Sequence, residues 1–412
     1  MSKRSVSLPT FVCVLLIVAM AASTLTLLLA GARTAAPEAG EGPLSRAEEI
    51  FALVESQYYQ EVDAEALETA AIDGMLASLG DPYTFYYTDE AYAAMNEETT
   101  GHYVGVGMLV GEDADGALTV LRVFRDSPAE SAGIEAGDEL IAIDGTPVGA
   151  GTQLGLSETT ALLKGDGETP VAVEALRDGE ALSFTLARSE VNINYVEYSI
   201  LEGEVGYLSI YQFSGDDVSG VEEALSAFQQ AGVTALVVDV RSNPGGLLTD
   251  VVKICDMFLP EGLIVYTEDR SGAREEYYAD SEYWDVPMAV LVNGESASAS
   301  EIFAAAVQDT GRGIVVGETT YGKGVVQTLY SFPEGDGVQL TTAAYYTPSG
   351  RSIHGQGVTP DIEVALAADA SVVFHAPDAQ TDAQLQAALA GCAGSAGGQC
   401  LRLEVDAPKP HE

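Results

Sequence analysis

Three short runs in the second half of the chain are apolar at nearly every position: residues 235–240 (Ala-Leu-Val-Val-Asp-Val), 288–292 (Met-Ala-Val-Leu-Val) and 313–316 (Gly-Ile-Val-Val). A strand with one wet face alternates apolar and polar residues. These runs do not alternate, so both of their faces must be covered. Asn243-Pro244-Gly245-Gly246 and an amphipathic stretch to about Phe258 follow the first run, and a helical stretch over 299–308 follows the second. This alternation predicts an α/β core, a mixed sheet with covering helices, over residues 189–366.

The sequence changes character on either side of that core. Residues 101–188 hold short alternating segments such as 118–124 and 139–144, separated by turn signals at Asp126-Ser127-Pro128 and Asp144-Gly145. A short helical stretch over 154–163 closes at Gly165. The whole reads as a small, inserted β-rich module. Residues 45–100 are helical in pattern, because Ile50, Leu53, Val54 and Tyr58, then Leu67, Ala71, Met75 and Leu79, recur at three and four. Residues 34–44, with Pro37, Gly40, Gly42 and Pro43, read as a linker. Residues 367–412 are rich in Ala, Gly, Asp and Gln, which predicts a weakly ordered C-terminal tail.

Residues 1–33 predict a cytoplasmic tip and a transmembrane helix. The run 11–30 carries no charge and at ~1.5 Å per residue spans roughly 30 Å, one hydrocarbon core. Lys3 and Arg4 precede it and the chain turns acidic after Arg33, so the remainder is expected outside the cytoplasm. Ala30-Gly31-Ala32 also fits a signal-peptidase site, which would give a secreted protein. The length of the run favours a retained single-pass anchor in the cell membrane.

The formal charge of −45 repels phosphate backbones, so nucleic acid is not an expected partner. An apolar fraction of 47% supports packed cores. Of the cysteines, Cys13 lies in the uncharged run and Cys255 in an apolar helical pattern. Cys392 and Cys400 are spaced to close a small disulfide loop in an exported chain. No CxxC, HExxH or His/Cys cluster suggests a metal, and no metal or other cofactor is expected.

Four histidines, His102, His354, His375 and His411, sit in no recognisable catalytic motif. A serine nucleophile needs a base at neutral pH, and here the candidate is a lysine. The stretch 293–301 (Asn-Gly-Glu-Ser-Ala-Ser-Ala-Ser-Glu) opens a helix, so Ser296, Ser298 and Ser300 lie near free backbone N–H groups and the positive end of the dipole. Spacing pairs Ser296 with Ser300 and sends Ser298 elsewhere, but does not choose a nucleophile. Ser298 and Glu301 also fit a capping box. The segment from Lys323 to Phe332 alternates like a strand, and a period of two puts Lys323, Val325 and Gln327 on one face. A buried lysine beside apolar groups loses affinity for its proton, which a general base requires. The stretch 317–323 matches G-x-x-x-x-G-K, but Gly324 replaces the Ser/Thr of a P-loop and a β-like run follows. The turn at Gly245 and Gly246 lets backbone approach a ligand.

Together these residues resemble the C-terminal processing peptidases, or tail-specific proteases, which join an exported anchor or signal, a PDZ module and a Ser–Lys protease core. The family's serine motif stands here as residues 296–301, its Tyr-Gly-Lys-Gly motif as 321–324, and its Arg-x-Asn-x-Gly-Gly turn as 241–246. The resemblance implies Ser298 as nucleophile, Lys323 as base and Gln327 as the residue that orients it. It implies oxyanion donors at Ala299 and at Gly245 or Gly246. Residues 127–145 are similar to a PDZ signature, and Tyr103-Val104-Gly105-Val106-Gly107-Met108 to the carboxylate-binding loop and its following strand. Leu79-Gly80-Asp81-Pro82-Tyr83-Thr84 and residues 357–361 also resemble the family, which covers about residues 45–365. The implied activity is a serine endopeptidase working through an acyl-enzyme. Its implied partners are proteins or peptides with free C-termini. A membrane contact through the N-terminal helix and a homo-oligomer are further expectations. Two other readings stand beside it: an inactive PDZ scaffold that binds tails at the cell surface, and a hydrolase that uses His354.

Overall fold

The structure is a computed structural model that describes residue 42 and residues 44–393, apart from positions 114, 153, 166, 168, 367–376 and 378. The expected membrane run lies outside the described residues. Among the described residues no helix is long and apolar enough to cross a membrane. The chain divides into two compact units, residues 1–78 and 79–412. In the first, the helices Ser45–Gln57 and Ala64–Ala77 carry out the helical pattern of the sequence. The carboxylate of Asp63 caps the second helix, accepting from the Ala66 N–H at 3.1 Å.

In the second unit the apolar runs form the middle of a six-stranded sheet. Its order is Val196–Leu201, Val205–Ile210, Ala235–Asp239, Met288–Val292, Ile314–Gly317 and Ile362–Glu363. The first pair is antiparallel and the rest are parallel. Alternate residues feed two different cores. Leu236, Val238, Val290, Val292 and Val315 pack under the helices Asp217–Ala231, Leu248–Phe258 and Ala299–Asp309. Val237, Ala289, Leu291, Ile314 and Val316 face the opposite way. That double burial is why these strands carry almost no polar residue.

The second face is covered by the helix Ala383–Ala393, which corrects the expectation of weak order for that part of the C-terminal segment. Leu385, Ala388 and Cys392, at i, i+3 and i+7, form the stripe that fills it. An Ala- and Gln-rich composition hid so short a stripe. The Cys392 thiol is buried, 3.8 Å from the Leu236 carbonyl oxygen. Cys400, its expected partner, lies outside the described residues.

A second, antiparallel sheet holds Phe85–Tyr87, Gly337–Tyr346, Gly262–Asp269 and Arg274–Ala279 in that order, with Val325–Ser331 also paired to Gly337–Tyr346. The β-rich module forms a third sheet, ordered Met108–Glu112, Leu118–Val123, Glu139–Ile143, Val171–Arg177 and Glu180–Leu186, around its own core. Where the module leaves and rejoins the core, His102–Gly105 pairs antiparallel with Ser189–Asn192.

Candidate active site

The three serines are sorted by what their hydroxyls do. Ser296 is fully buried and donates to the Val240 carbonyl at 2.8 Å. Ser300 is fully buried and donates to the Asn243 carbonyl at 2.9 Å. Both pin the start of the helix to the turn after the strand Ala235–Asp239. Ser298 is only half-buried and lines a cavity of about 390 Å³, whose walls also include Ala299, Gly245, Gly246, Lys323 and Gln327. Its backbone sits at φ 55° and ψ −114°, a region costing about 1–3 kcal/mol for a residue other than glycine.

The glycine turn is built around that serine. A Cβ on Gly245 would come within 2.7 Å of the Ser298 Cβ and 2.9 Å of the Ala299 nitrogen, so only glycine admits this approach. The Asn243 side chain holds the turn, donating to the Ile210 carbonyl at 2.7 Å and accepting from the Gly245 N–H at 2.8 Å. Phe213 bridges it further, its N–H donating to the Gly245 carbonyl (2.8 Å) and its carbonyl accepting from Leu247 (2.7 Å). The Gly245 N–H is thus engaged. Among the described residues nothing accepts from the Gly246 or the Ala299 N–H.

Lys323 occupies a turn, not a strand. The strand begins at Val325, and its register against Gly337–Tyr346 shifts between Val326 and Gln327. The predicted period-two face is therefore interrupted by an irregularity, although Lys323, Val325 and Gln327 all reach the cavity wall. Gln327 donates to the Thr341 hydroxyl at 3.2 Å. Burial pushes the Lys323 ammonium below the usual lysine range, while the charges of Asp81 and Glu301 hold part of it up.

Glu301 does more than the capping box read from the sequence. It is fully buried. Its carboxylate accepts from the Ser298 N–H (2.9 Å), the Lys323 N–H (2.8 Å), the Gly322 N–H (2.7 Å) and the Thr320 hydroxyl (2.6 Å). One carboxylate thereby ties the serine's helix to the lysine's turn. The Tyr345 hydroxyl makes a second tie, lying between the carbonyls of Ser298 (3.0 Å) and Lys323. Local spacing signals only the first of the four Glu301 contacts. His354 is exposed, and its Nδ1 accepts from the Gly324 N–H at 3.4 Å. The lysine turn leads into a strand, not the helix a P-loop needs.

Arg241, in the same turn sequence as the glycines, is fully buried. It is held by Asp239 and, from the C-terminal segment, by Asp382 (2.8 Å) and Gln384 (3.1 Å). Neither C-terminal partner is signalled by the motif.

A second cavity, of about 370 Å³, lies in the β-rich module along Met108–Glu112, an edge strand that among the described residues pairs only with Leu118–Val123. Tyr103, Val106, Met108, Phe124 and Leu163 line it. Of the loop singled out in the sequence, Val104 and Gly105 instead pair with Glu190 and Ser189. Gly107 turns the chain at φ 87°, where a Cβ would sit 2.1 Å from that of Ser127. The Tyr103 phenol is pushed up to about 12 by burial, against hydrogen bonding with the backbone of Gly107 and Met108.

Three parts of the chain match known protein families. Residues 204–364 match peptidase family S41, residues 119–177 a PDZ domain, and residues 23–91 the N-terminal domain of activating protease CtpB. The carboxyl-terminal-processing protease of Synechocystis is 37% identical over 329 residues, covering 77% of this chain and 75% of that protein. Carboxy-terminal processing protease CtpA of Bacillus subtilis is 31% identical over 360 residues, covering 86% of this chain and 76% of that one. Among solved structures, the photosystem II D1 C-terminal processing protease is 32% identical with a TM-score of 0.49, over 80% of this chain and 89% of that one.

Proposed function

The chain belongs to the carboxyl-terminal processing proteases of peptidase family S41 and is a serine-type peptidase, and we propose that Ser298 is its nucleophile and Lys323 its general base. One observation carries this reading. Of the three serines, Ser298 alone lines the cavity that Lys323 also lines, while its neighbours donate to backbone carbonyls.

In the proposed reaction the neutral Lys323 amine takes the proton of the Ser298 hydroxyl as the oxygen attacks the peptide carbonyl. The Ala299 and Gly246 N–H groups, without acceptors among the described residues, receive the oxyanion, each contributing about 3 kcal/mol. The protonated lysine then gives its proton to the departing amine, leaving an acyl-enzyme on Ser298. Lysine next activates a water that releases the acyl group. Gln327 lines the same wall and is the proposed orienting residue for the amine during turnover; at rest its amide donates to the Thr341 hydroxyl.

The PDZ domain and the family imply protein substrates with C-termini. We propose that such a tail adds as a strand to the open edge Met108–Glu112, with its carboxylate on the backbone N–H groups near Gly107. Export, with the catalytic unit outside the cytoplasm, rests on the run 11–30 and its flanking charges. The test is casein or peptide degradation by purified Ser298→Ala and Lys323→Ala. Each is expected to lose proteolysis while keeping the wild-type circular dichroism and melting temperature. Turnover by either variant overturns its assignment. A scaffold without activity is not favoured, and His354→Ala is expected to leave turnover largely intact.

A further inference from the structure

The ε-amine of Lys323 has a specific resting partner. It lies 4.8 Å from the centroid of the Tyr83 ring. Among the described residues no side-chain hydrogen bond or ion pair holds it. Tyr83 is itself firmly placed. Its N–H donates to Asp81 Oδ1 at 3.0 Å and its carbonyl accepts from Gln339 Nε2 at 3.1 Å. Thr84 donates its hydroxyl to Asp81 Oδ2 (2.6 Å) and accepts from the Thr341 N–H (3.1 Å). The segment 81–84 is therefore anchored to the strand Gly337–Tyr346, which also pairs with the strand that follows Lys323.

An aromatic face attracts an ammonium and has little attraction for a neutral amine. The ring therefore favours the protonated lysine, whereas attack by Ser298 requires the neutral one. We propose that Tyr83 is a positioning residue of the reaction: its ring parks the protonated Lys323 amine and frees it for Ser298 once the proton is gone, so that the ring sets the lower pH limit of turnover. This rests on the reading of Lys323 as the base.

The other groups facing the lysine are consistent with that role. Asp81, on the segment of Tyr83, and Glu301, on the serine helix, are both negative and also favour the protonated form. Burial pushes the phenol of Tyr345, on Gly337–Tyr346, well up, so it adds no charge, and Tyr321, on the lysine's own turn, lies beside Tyr83. His354 contacts the turn through the Gly324 N–H.

The experiment is the acid limb of kcat/KM on one synthetic peptide, with position 83 changed without changing its shape. Tyr83→Phe keeps the ring face and is expected to leave the limb in place. Phenylalanines bearing one, two and three ring fluorines at 83 weaken the ring's attraction stepwise. The apparent pKa should fall with each fluorine, by about one pH unit across the series, with kcat on the plateau held within about twofold. Tyr83→Leu should fall at least as far; if it does not fold, the near-isosteric fluorinated series decides. A limb that stays in place across the series, or moves to higher pH, overturns the proposal. Lys323→Ala separates the two levels. If it is dead and the limb does not move, only the role of Tyr83 fails; if it retains turnover, the assignment of the base fails.

Discussion

The cavity at Ser298 and the groove along Met108–Glu112 are nearly equal in size, about 390 and about 370 Å³, yet they are built on opposite plans. Around Ser298 almost every polar group is committed. Asn243 holds the glycine turn, Ser296 and Ser300 hold the helix start, and Glu301 takes four donors. The Gly246 and Ala299 N–H groups stand apart from that web. In the groove the side chains are mostly apolar and, among the described residues, one whole edge of Met108–Glu112 is unpaired. Bond cleavage needs donors fixed before the substrate arrives. Capture of a tail needs main-chain groups left free and walls tolerant of many side chains.

The largest expected effect comes from removing the central acceptor of the Ser298 cavity. In Glu301→Gln an amide must replace a buried carboxylate that accepts four hydrogen bonds. We expect kcat/KM to fall by about 1,000-fold and stability by about 3 kcal/mol. A tail peptide should still bind the groove with wild-type affinity, read by fluorescence anisotropy. Equal losses in both would break the comparison.

Gly107→Ala works on the other side. It demands φ 87° of an alanine and sets its Cβ 2.1 Å from that of Ser127. Tail-peptide Kd should rise roughly 10- to 100-fold, while kcat at saturating peptide stays near wild type. A fall in kcat instead would mean that the groove shapes the chemistry as well as the capture. Amidating the peptide's C-terminus is a milder form of the same test. It removes a charge-assisted acceptor and should raise KM about tenfold with kcat unchanged.

The two plans were unequally legible in the sequence. Apolar runs at 235–240 and 288–292 announced a doubly covered sheet, because no other arrangement dries both faces. The choice among three serines was not readable from spacing, since the acceptors that immobilise Ser296 and Ser300 are carbonyls at Val240 and Asn243, far away in the chain. Glu301 looked complete as a capping residue because its other donors lie at 320–323. The irregularity after Val326 depends on the partner strand and leaves no local mark. The helix Ala383–Ala393 gains its apolar stripe only when the sheet face beneath it is known.

The smallest expected effect on turnover concerns Asp217, at the start of the helix that follows Gln212 and Ser214 of the Ser298 cavity wall. It is buried, with one carboxylate oxygen lacking a partner among the described residues. Burial, then the nearby charge of Asp250, raises its pKa to about 7. The unfolded chain loses this proton near pH ~3.9, so the fold loses stability as pH climbs from ~4 toward ~7. Asp217→Asn avoids that loss. It should be more stable than wild type by about 2–4 kcal/mol at pH 8, with the difference closing near pH 4 and kcat unchanged. Thermal melts across that range check it.

The central claim is that a lysine, not a histidine, makes Ser298 a nucleophile. The most direct test is acid-quenched mass spectrometry of the enzyme during turnover of an activated peptide ester. The account predicts an added mass equal to the acyl fragment on the proteolytic peptide that carries Ser298, present in wild type and His354→Ala and absent in Lys323→Ala. An acyl group on another residue, or one that forms on Ser298 at the wild-type rate in Lys323→Ala, would contradict it.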